Sequence, residues 1–553
     1  MDQSRVNIYI GASSIRTCLG NKTETLVGMH NNIEGLKYSD SYAMYAGIAE
    51  VKIIKGLSRF ESLVIEQIQN VIDESAIKLS DKDTQLIICT TKGNINFLAD
   101  DCKEIPNKVF LDASAKVIAE RIGCSNTPII ISNACISGVS GFVIAKWLLE
   151  TKQYKNVILA GGDSLCDFIT SGFASFKSIS PQPCKPYDEN RDGLTLGEAA
   201  GAILLTTDVL LSDEFRFCLT GGVITNDANH ISGPSRTGDG LFYAINEAMQ
   251  EAEIECDNVG FICTHGTATR YNDEMESKAV AWAQLDKTPL NSLKGYIGHT
   301  LGASGVVETI ICIEELKQGY IFGTKGFQKS DTPHELSVSP DIQHIKNQCF
   351  VKTASGFGGC NAAIVIEQVK EKCISRNKLS QYKIIAEYTL PKSNLPFAKF
   401  IRDEYKALGE SNMKFYKMSD MCKALYVSVE KLLQIQPINE IKPLRKAIIL
   451  SNKSASLDAD IIHQEIINQH LPEGTSPAAF VYTLPNVAAG EICIRHKIQG
   501  NNTFFVEDKY SELIEKYSMS LISQNLADVV IYGWCEYLQG NWNVKIKLLK
   551  KID

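Results

Sequence analysis

The stretch from Ile122 to Ala145 carries no formal charge over 24 residues, and it limits what this chain can fold into. A run of this length could cross a membrane as a helix. Turn-forming and polar residues interrupt it: Asn126, Pro128, Ser132, Asn133, Gly138 and Gly141. Because they divide the run into an apolar strand, a tight turn and an apolar helix, we expect a buried strand leading into a buried helix instead of a membrane span.

Cys135 lies in the turn of that unit, between the predicted strand Ile129–Ile131 and a helix predicted over residues 142–149. The dipole at a helix N-terminus favours a thiolate, so Cys135 is a candidate nucleophile. His265 and His299 follow far downstream in loops rich in glycine and threonine. Each of the three alone could be structural, but a cysteine with distant histidine partners is typical of a thiol nucleophile.

The composition is that of a folded protein without a basic face. Of 553 residues, 44% are hydrophobic and 22% are charged, which is ordinary for globular proteins, and the length predicts two or three domains. The net charge of −8 argues against nucleic-acid binding. The 17 cysteines show no Cys-x-x-Cys pairs, and from the first residues we expect no signal peptide. We therefore predict reduced thiols, a cytoplasmic location and no metal site.

Short apolar runs alternate with helix-length stretches through the first 370 residues. The predicted strands are Leu86–Cys89, Ile129–Ile131, Val157–Ala160 and Ala202–Leu205, and helical stretches include Leu63–Ile77 and Gly141–Glu150. This alternation predicts an α/β fold with buried sheets.

Five motifs in this region resemble those of β-ketoacyl-[acyl carrier protein] synthases of the thiolase fold, specifically the elongating Cys-His-His type. In order, they are Asn133–Gly138; Pro186–Gly193 with Gly197–Gly201; His265–Thr269 with Asp273 and Glu276; Lys294–His299 with Gly302–Gly305; and Ser355–Asn361. One such motif is weakly specific, whereas five in the expected order over residues 1–370 are strongly so. The resemblance implies two similar halves stacked in five layers, α-β-α-β-α.

The resemblance also implies catalytic roles. Cys135 would accept an acyl chain from an acyl carrier protein, after which a malonyl-carrier thioester enters the site. His265 and His299, as neutral donors, would hold the carbonyl oxygen of that thioester and assist its decarboxylation. Lys294 matches a buried lysine that pairs with the carboxylate matching Glu276 and orders the histidines.

The closing glycine loop would complete the site. The backbone N–H groups of Cys135 and Phe357 would form an oxyanion hole, with Phe357 as a gating aromatic and Gly358 permitting close approach. Asp273 and Glu276, three residues apart on a predicted helix, are interpreted as supporting residues. His230 is predicted to be structural. No cofactor is expected to stay bound, because the substrates are carried on the phosphopantetheine of acyl carrier protein.

Some features depart from the family. The segment before Cys135 is shorter than in ordinary elongating synthases, and Ile8–Ser13 matches the opening motif only loosely, which leaves the substrate pocket undefined. Cys360 directly follows the glycine loop and raises the alternative of a thiolase, which uses a second cysteine as base and one histidine. His299, in a ketosynthase motif, favours the synthase.

The C-terminal third resembles the first half of the same fold again. Leu86–Lys92 pairs with Ala447–Lys453 at an offset of 361 positions, and Val157–Asp163 pairs with Val529–Cys535 at an offset of 372. Residues 503–511, where a nucleophile turn should fall, contain no cysteine.

We therefore predict a ketosynthase catalytic domain over residues 1–370, a polar linker over 371–384, and a degenerate ketosynthase N-terminal-like domain without a nucleophile over 385–553. This fold class is a thiolase-like five-layer unit plus a second, partial thiolase-like α/β domain. An unrelated α/β appendage with chance similarity is the alternative for the last segment.

Two functions of different classes stay open. The first is a condensing enzyme that extends an acyl chain in fatty-acid-like or polyene and pigment biosynthesis, such as that of aryl polyenes. The second is a non-catalytic, chain-length-factor-like partner or scaffold for another ketosynthase. Retention of the cysteine, both histidines, Lys294 and Phe357 favours the enzyme.

The expected partners are an acyl carrier protein and a second subunit. Thiolase-fold enzymes dimerise through strands of the N-terminal half, and that is the half repeated here. We expect a homodimer held by the catalytic domain, with the extra half on its flank. A heterodimer with another ketosynthase-like subunit, or an extra half that imitates a partner protomer, are the alternatives.

Overall fold

The computed structural model describes residues 6–99, 104–368, 380–409, 411–469 and 474–552. Within these residues the chain is a mixed α/β protein, as the sequence predicts. Its strands join into one continuous sheet of sixteen strands, with two small accessory sheets. The larger part of the molecule is residues 6–368, and the smaller part, called here the C-terminal half domain, is residues 380–552.

The larger part contains sixteen of the described strands and nine of the described helices. Its strands are β1 (Tyr9–Thr17), β2 (Gly20–Asn21), β3 (Lys37–Ser39), β4 (Met44–Gly47), β5 (Thr84–Cys89), β6 (Ile129–Ile131), β7 (Asn156–Asp163), β8 (Leu196–Gly197), β9 (Ala199–Thr206), β10 (Phe217–Asn226), β11 (Phe261–Cys263), β12 (Leu290–Asn291), β13 (Tyr320–Ile321), β14 (Gln343–His344), β15 (Cys349–Gly356) and β16 (Cys360–Gln368). Its helices are α1 (Lys22–His30), α2 (Arg59–Ser75), α3 (Leu111–Arg121), α4 (Ser137–Glu150), α5 (Asp167–Ser175), α6 (Asp239–Ala252), α7 (Arg270–Trp282), α8 (Lys294–Ile297) and α9 (Ser304–Gln318).

Two strand arrays and three helical layers build this part. One array has the order β6-β5-β7-β9-β1 and the other β12-β11-β15-β16-β10, and they join where Tyr9 pairs with Cys218. Helices α2 and α3 cover the first array, α6 and α7 cover the second, and α4 and α9 contact both arrays from between them. The predicted five-layer α-β-α-β-α architecture is confirmed.

The uncharged run is a buried strand and a buried helix, as predicted. Every residue of β6 and of α4 is buried. Continuous apolar sequence is required here because both faces of these elements are covered. Among the described residues, no helix combines the length and the apolar character needed to span a membrane.

The two central helices touch backbone to backbone. A Cβ atom added to Gly138 of α4 would lie 2.8 Å from the Cα of Gly305 of α9, and one added to Gly305 would lie 2.3 Å from the backbone nitrogen of Val139. Only glycine allows this approach. Because Cys135 directly precedes α4 and His299 closely precedes α9, the crossing brings the cysteine and histidine loops together.

The C-terminal half domain repeats the first strand array. Its strands are β17 (Gln381–Thr389), β18 (Lys446–Asn452), β19 (Asn502–Val506), β20 (Val529–Leu538) and β21 (Asn541–Ile552), and its helices are α10 (Phe397–Ala407), α11 (Asp420–Ile435), α12 (Leu457–Asn468), α13 (Pro477–Val481), α14 (Asn486–His496) and α15 (Glu512–Ser523). The order β19-β18-β20-β21-β17 reproduces β6-β5-β7-β9-β1 with the same parallel and antiparallel pairings. This segment is therefore a second, partial thiolase-like unit.

A carboxylate binds the backbone of the neighbouring loop near the end of the corresponding strand in both units. Glu536 at the end of β20 accepts hydrogen bonds from the N–H groups of Lys453 and Ser454. Asp163 at the end of β7 accepts from the N–H groups of Thr91 and Lys92, one position earlier in the repeat. Between β19 and α15, where the larger part carries its nucleophile, residues 507–511 contain no cysteine.

The two parts join edge to edge. β6 pairs antiparallel with β19, with Ile131 opposite Phe505 and Ile130 opposite Val506. On the flanking helices, Trp147 of α4 packs against Tyr517 of α15, with ring centroids 4.9 Å apart. Equivalent strands and equivalent helices meet across this junction, which is the geometry of an isologous contact between two subunits.

This junction occupies the strand edge through which the expected homodimer would form. β6 has β5 on one side and β19 on the other, so no free hydrogen-bonding edge remains there for a second chain. A homodimer on this edge, with the C-terminal half domain at its flank, does not agree with the structure. The half domain instead lies along the edge that a second chain would need.

We therefore expect this 553-residue chain to be monomeric in solution. Light scattering during size-exclusion chromatography, at several protein concentrations, should give the mass of one chain throughout. A mass of two chains that persists on dilution would contradict the hypothesis that the pairing of β6 with β19 replaces dimerisation.

The predicted linker, residues 371–384, lies mostly outside the described residues, since 371–379 are not among them. β17 begins at Gln381, inside the predicted linker, and pairs with β21.

Candidate active site

Cys135 lies on a short 3₁₀ helix, Ala134–Ile136, between β6 and α4. The preceding Ala134 has φ +49°, a left-handed conformation that is unfavourable for a non-glycine residue. Ser137 holds the turn, because its hydroxyl donates to the Ala134 carbonyl at 2.6 Å and accepts from the Asn133 N–H at 2.8 Å. The strained turn presents the thiol at the N-terminus of α4.

The structure brings Cys135, His265 and His299 together. His299 Nε2 lies 3.1 Å from Cys135 Sγ, and the two imidazole rings are 5.0 Å apart in an edge-to-face arrangement. All three residues are buried. His299 Nδ1 lies 3.2 Å from the Ser304 hydroxyl, which contacts the Thr300 hydroxyl at 3.1 Å. Since a hydroxyl can donate or accept, Ser304 supports either neutral tautomer of His299.

Burial decides the protonation states of the three groups. Burial raises the pKa of Cys135 to about 12, with Lys294 opposing the shift and Asp163 adding to it. Burial lowers the pKa of both His265 and His299 well below the usual value, and Lys294 adds to both shifts. The resting site therefore holds a neutral thiol and two neutral imidazoles. The helix dipole favours the thiolate but does not outweigh the desolvation of the thiol, so the thiol must lose its proton when it attacks.

Asp273 and Glu276 of α7 hold the loop that carries His265. Glu276 accepts from the backbone N–H groups of His265 at 2.8 Å and Gly266 at 2.6 Å. Asp273 accepts from the N–H groups of Thr267 at 3.1 Å and Tyr187 at 2.8 Å. They act on the histidine loop through its backbone, which fits the supporting role expected from the sequence.

Lys294 is not paired with Glu276. Its ammonium lies 2.7 Å from Glu308 Oε1, and Lys352 lies 2.6 Å from Glu308 Oε2. All three side chains are buried in the core beside the histidines. Burial alone would raise the pKa of Glu308, but Lys294 and Lys352 together hold it below the ordinary value. The predicted ion pair is corrected to a buried Lys294–Glu308–Lys352 cluster.

The glycine loop lies directly against the nucleophile turn. A Cβ on Gly356 would be 3.2 Å from the backbone nitrogen of Cys135. Phe357 is half-buried and its ring stacks on Phe173, with centroids 6.0 Å apart. Gly358 has φ +90°, and its N–H donates to the Ile231 carbonyl at 2.6 Å. Phe357 thus lies beside Cys135, where the sequence predicts the gating residue.

His230 is exposed, and its Nδ1 accepts from the N–H groups of Ser232 and Gly233, as a structural residue would.

A cavity of about 330 Å³ opens onto the three site residues. Its other lining side chains include Phe173, Phe176, Thr267, Thr269, Tyr271, Met275 and Phe357. Tyr271 is 78% exposed and marks the mouth of the cavity. The thiol thus lies at the bottom of a mostly apolar chamber that is open to solvent at one end.

The donor atoms of Cys135, His265 and His299 all lie within 4.8 Å of one another. Two imidazoles and a thiolate are ligands that zinc accepts. The same arrangement lets two imidazole N–H groups and one thiol contact a single small ligand group, such as a carbonyl.

Sequence reasoning missed several residues that the structure places around the site. They are Asp163, Ser304, Glu308, Lys352 and, from the C-terminal half domain, Phe480 and Asn486. Glu308 carried a signal, since it is a lone carboxylate in the apolar run Val306–Ile313 and such a group needs a partner. Phe480 and Asn486 carried none, because a local pattern does not show which distant loop a residue contacts.

Comparisons with known proteins agree with this geometry. Residues 62–209 match the family model described as beta-ketoacyl synthase, N-terminal domain, and residues 217–328 match beta-ketoacyl synthase, C-terminal domain. The chain is 29% identical over 264 residues to 3-oxoacyl-[acyl-carrier-protein] synthase II, chloroplastic, of Arabidopsis thaliana, covering 44% of this chain and 47% of that protein. It is 27% identical over 271 residues to 3-oxoacyl-[acyl-carrier-protein] synthase 2 of Vibrio harveyi, covering 45% and 64%. The chain thus spans less than two thirds of the length of each relative.

Solved structures show the same fold. The structure described as PfaC keto synthase-chain length factor covers 99% of this chain and 78% of its own, with a TM-score of 0.78 and 12% identity. The ketosynthase ApeO in complex with its chain length factor ApeC, from Xenorhabdus doucetiae, covers 66% of this chain and 98% of its own, with a TM-score of 0.58 and 24% identity. At these identities the likeness concerns the fold alone.

Proposed function

This chain belongs to the β-ketoacyl synthase family through residues 62–209 and 217–328, and on that premise we propose that it is a working condensing enzyme. It would join an acyl group held on Cys135 to a malonyl-carrier thioester by decarboxylative Claisen condensation. Its partner would be an acyl carrier protein whose phosphopantetheine carries both substrates. The observation that carries the proposal is the convergence of one thiol and two neutral imidazoles at the bottom of an open cavity.

The first half-reaction is acyl transfer. The Cys135 sulfur attacks the thioester carbonyl, a bond forms between sulfur and the acyl carbon, and the carrier thiol leaves. Because the resting thiol is neutral, its proton must move during the attack, and His299 Nε2 at 3.1 Å is placed to receive it. The departing carrier thiolate then takes that proton, so the site returns to its starting charge.

The second half-reaction uses the imidazoles as hydrogen-bond donors. The malonyl group loses carbon dioxide, and the electron pair of the broken carbon–carbon bond passes into an enolate. His265 and His299, both neutral, would each donate to the enolate oxygen, an interaction worth about 3 kcal/mol per donor in related oxyanion sites. For this step His299 takes the tautomer with the proton on Nε2, while Nδ1 accepts from the Ser304 hydroxyl. The carbanion attacks the acyl carbonyl on Cys135, a carbon–carbon bond forms, and Cys135 leaves as a thiolate. The thiolate takes one proton from solvent, since loss of carbon dioxide from the malonyl carboxylate supplies none.

The buried charges support this division of roles. Glu308 carries one negative charge between two ammonium groups, so the Lys294–Glu308–Lys352 cluster is net positive. That positive charge lies near both histidines and disfavours their protonation. Neutral imidazoles keep an N–H available for the substrate oxygen. A protonated His299 could not accept the proton of the Cys135 thiol.

We further propose that the C-terminal half domain is a built-in partner subunit that closes the acyl side of the pocket. Phe480 of α13 packs against Phe173 and Phe176, which line the cavity, with ring centroids 5.3 and 6.4 Å apart. An acyl chain that leaves Cys135 in this direction meets Phe480. Both solved structures named above include a chain length factor, which supports this role. A purely non-catalytic function for the whole chain is disfavoured by the complete set of site residues.

The pathway we favour is polyene or pigment synthesis, such as that of aryl polyenes, with fatty-acid-like elongation as the alternative. We also propose a cytoplasmic location, which is supported by the free thiol state of all the described cysteines.

Intact mass spectrometry tests the function. The protein is mixed with acyl carrier proteins that bear different acyl chains, beside the Cys135→Ala variant. We expect a mass gain of one acyl group that the variant lacks, and carbon dioxide release when malonyl carrier follows. Failure of every donor to acylate Cys135 would refute the enzyme and leave the partner role.

A further inference from the structure

Asn486 is a residue of the C-terminal half domain that reaches the catalytic loop of the larger part. It is the first residue of α14, and its side chain is 1% exposed. Its Nδ2 donates to the carbonyl oxygen of Phe357 at 2.8 Å. The same carbonyl accepts a weaker bond from the Cys360 thiol at 3.2 Å. The buried amide is therefore the stronger of two donors that fix this carbonyl.

Helix α14 and the loop are packed without space between them. A Cβ on Gly490, one turn along α14, would lie 2.7 Å from the Gly358 carbonyl oxygen and 2.9 Å from its Cα. A Cβ on Gly358 would lie 2.6 Å from Asn486 Nδ2. Since both contacts involve the backbone of the loop, a shift of α14 would be transmitted to the loop directly.

The rest of the loop is anchored by the larger part alone. The Gly358 N–H donates to the Ile231 carbonyl, and the Gly358 carbonyl accepts from Asn226 Nδ2 at 2.8 Å. The Phe357 carbonyl is thus the point at which the C-terminal half domain holds the loop by a hydrogen bond. Because the carbonyl and the N–H of Phe357 belong to one residue, fixing the carbonyl restricts the backbone angles that aim the N–H.

We propose that Asn486 is a positioning residue for acyl transfer, which holds Phe357 so that its N–H can bind the oxyanion formed at Cys135. This rests on the proposed condensing function, in which that N–H is one of two oxyanion donors. The C-terminal half domain then contributes to catalysis in the larger part through one side-chain amide.

The test compares two reactions of the same thiol. Acyl transfer from an acyl carrier protein builds an oxyanion, whereas alkylation of Cys135 by iodoacetamide does not use that oxyanion hole. In Asn486→Ala we expect acylation in a single turnover to slow about tenfold or more, since small displacements of catalytic groups have effects of that size. The alkylation of Cys135, followed at the peptide level, should keep its wild-type rate.

The chain offers a matched control in Asn502. This asparagine is 2% exposed, lies in the same junction, and donates through Nδ2 to the Thr225 carbonyl at 2.8 Å. That carbonyl belongs to a strand and not to the catalytic loop. Asn502→Ala should therefore leave the ratio of acylation to alkylation at the wild-type value.

Asn486→Asp adds a second measurement, the pH dependence of acylation, which a merely structural role of Asn486 would not change. A protonated carboxyl can donate to the Phe357 carbonyl, but an ionised one cannot. Burial should raise the pKa of the introduced carboxyl. Relative to the wild type, acylation should therefore be best at low pH and fall as the pH rises through that pKa.

Three outcomes would overturn the inference. Asn486→Ala could acylate at the wild-type rate, or lose acylation and alkylation by the same factor, as a general loss of structure would cause. In both cases the proposed function stands if the wild type is acylated. A wild type that alkylates at Cys135 but accepts no acyl group refutes the proposed function, and this inference with it.

Discussion

Glu308→Gln should destabilise the protein far more than Glu315→Gln, although the two glutamates lie two turns apart on α9 and are both fully buried. Glu308 is the carboxylate that contacts both Lys294 and Lys352. Its neutral replacement leaves two buried ammonium groups without the counter-charge that they contact. Removing one partner from a buried ion pair has an effect of about 3–5 kcal/mol.

Glu315 offers the matched control because its environment is opposite. Burial raises the pKa of Glu315 well above the ordinary value, which favours the neutral carboxyl. Its Oε1 accepts from Asn291 Nδ2 and from the Phe322 N–H, both at 2.8 Å, and a glutamine oxygen can accept both bonds. We expect Glu315→Gln to change the stability by less than about 1 kcal/mol.

Thermal unfolding measures the difference. The midpoint for Glu308→Gln should fall by roughly 3–6 °C, or the variant should not accumulate as folded protein. The pKa of Glu308 is depressed in the folded state, so its stabilising effect is present above its unfolded pKa and is lost as the pH falls through the folded value. The difference in stability between wild type and Glu308→Gln should therefore become smaller as the pH is lowered. Equal losses in the two variants would contradict the assigned charges.

The sequence predicts elements whose cause is local. The strand Ile129–Ile131, the turn at Cys135 and the buried helix after it follow from one uncharged run broken by small and polar residues. The repeat in residues 380–552 was visible because β5 and β18 carry similar apolar segments. What the sequence could not show is that β6 and β19 pair with each other, since any exposed strand edge could accept either a second chain or this one.

Side-chain partners in the site were harder to predict than the site itself. Cys135, His265 and His299 meet as expected, because each lies in its own recognisable loop. Lys294 was paired with Glu276 instead of Glu308, since chain order does not reveal which of several buried acids faces a given lysine. The helix dipole that favours the thiolate can be inferred from the local sequence, whereas the desolvation that raises the pKa of Cys135 depends on tertiary packing.

Lys92 and Asp460 form a buried ion pair across the junction of the two parts. The Lys92 ammonium lies 2.5 Å from Asp460 Oδ1 and 3.0 Å from the Ser456 hydroxyl, and it also donates to the Thr483 carbonyl. Burial lowers the pKa of Lys92 and raises that of Asp460 to about 6, each partner opposing the shift of the other. Each charge thus offsets part of the desolvation cost of the other. Replacing both residues should therefore lower the stability less than replacing one of them.

The link to the site runs through Asp163. This carboxylate accepts from the N–H of Lys92 and from the N–H of Gly302, which lies three residues after His299. The backbone that carries Lys92 is thus joined to the loop of the catalytic histidine. A change at Lys92 that moves its backbone would therefore also move the loop after His299.

Lys92→Met should lower the stability by about 3–5 kcal/mol near pH 8, because it leaves the Asp460 carboxylate buried and unpaired. With the lysine gone, the folded-state pKa of Asp460 should rise further above its unfolded value, so the folded state binds the extra proton and is favoured at low pH. The loss of stability relative to wild type should therefore grow from about pH 5 to about pH 8.

Replacing both partners, as Lys92→Met with Asp460→Asn, should recover much of the loss of stability, since it removes both buried charges together. Chemical denaturation of the wild type, both single variants and the double variant at the two pH values gives the coupling energy. Strictly additive losses would show that the pair does not hold the junction, and that β6 and β19 are kept together by their backbone hydrogen bonds and apolar packing alone.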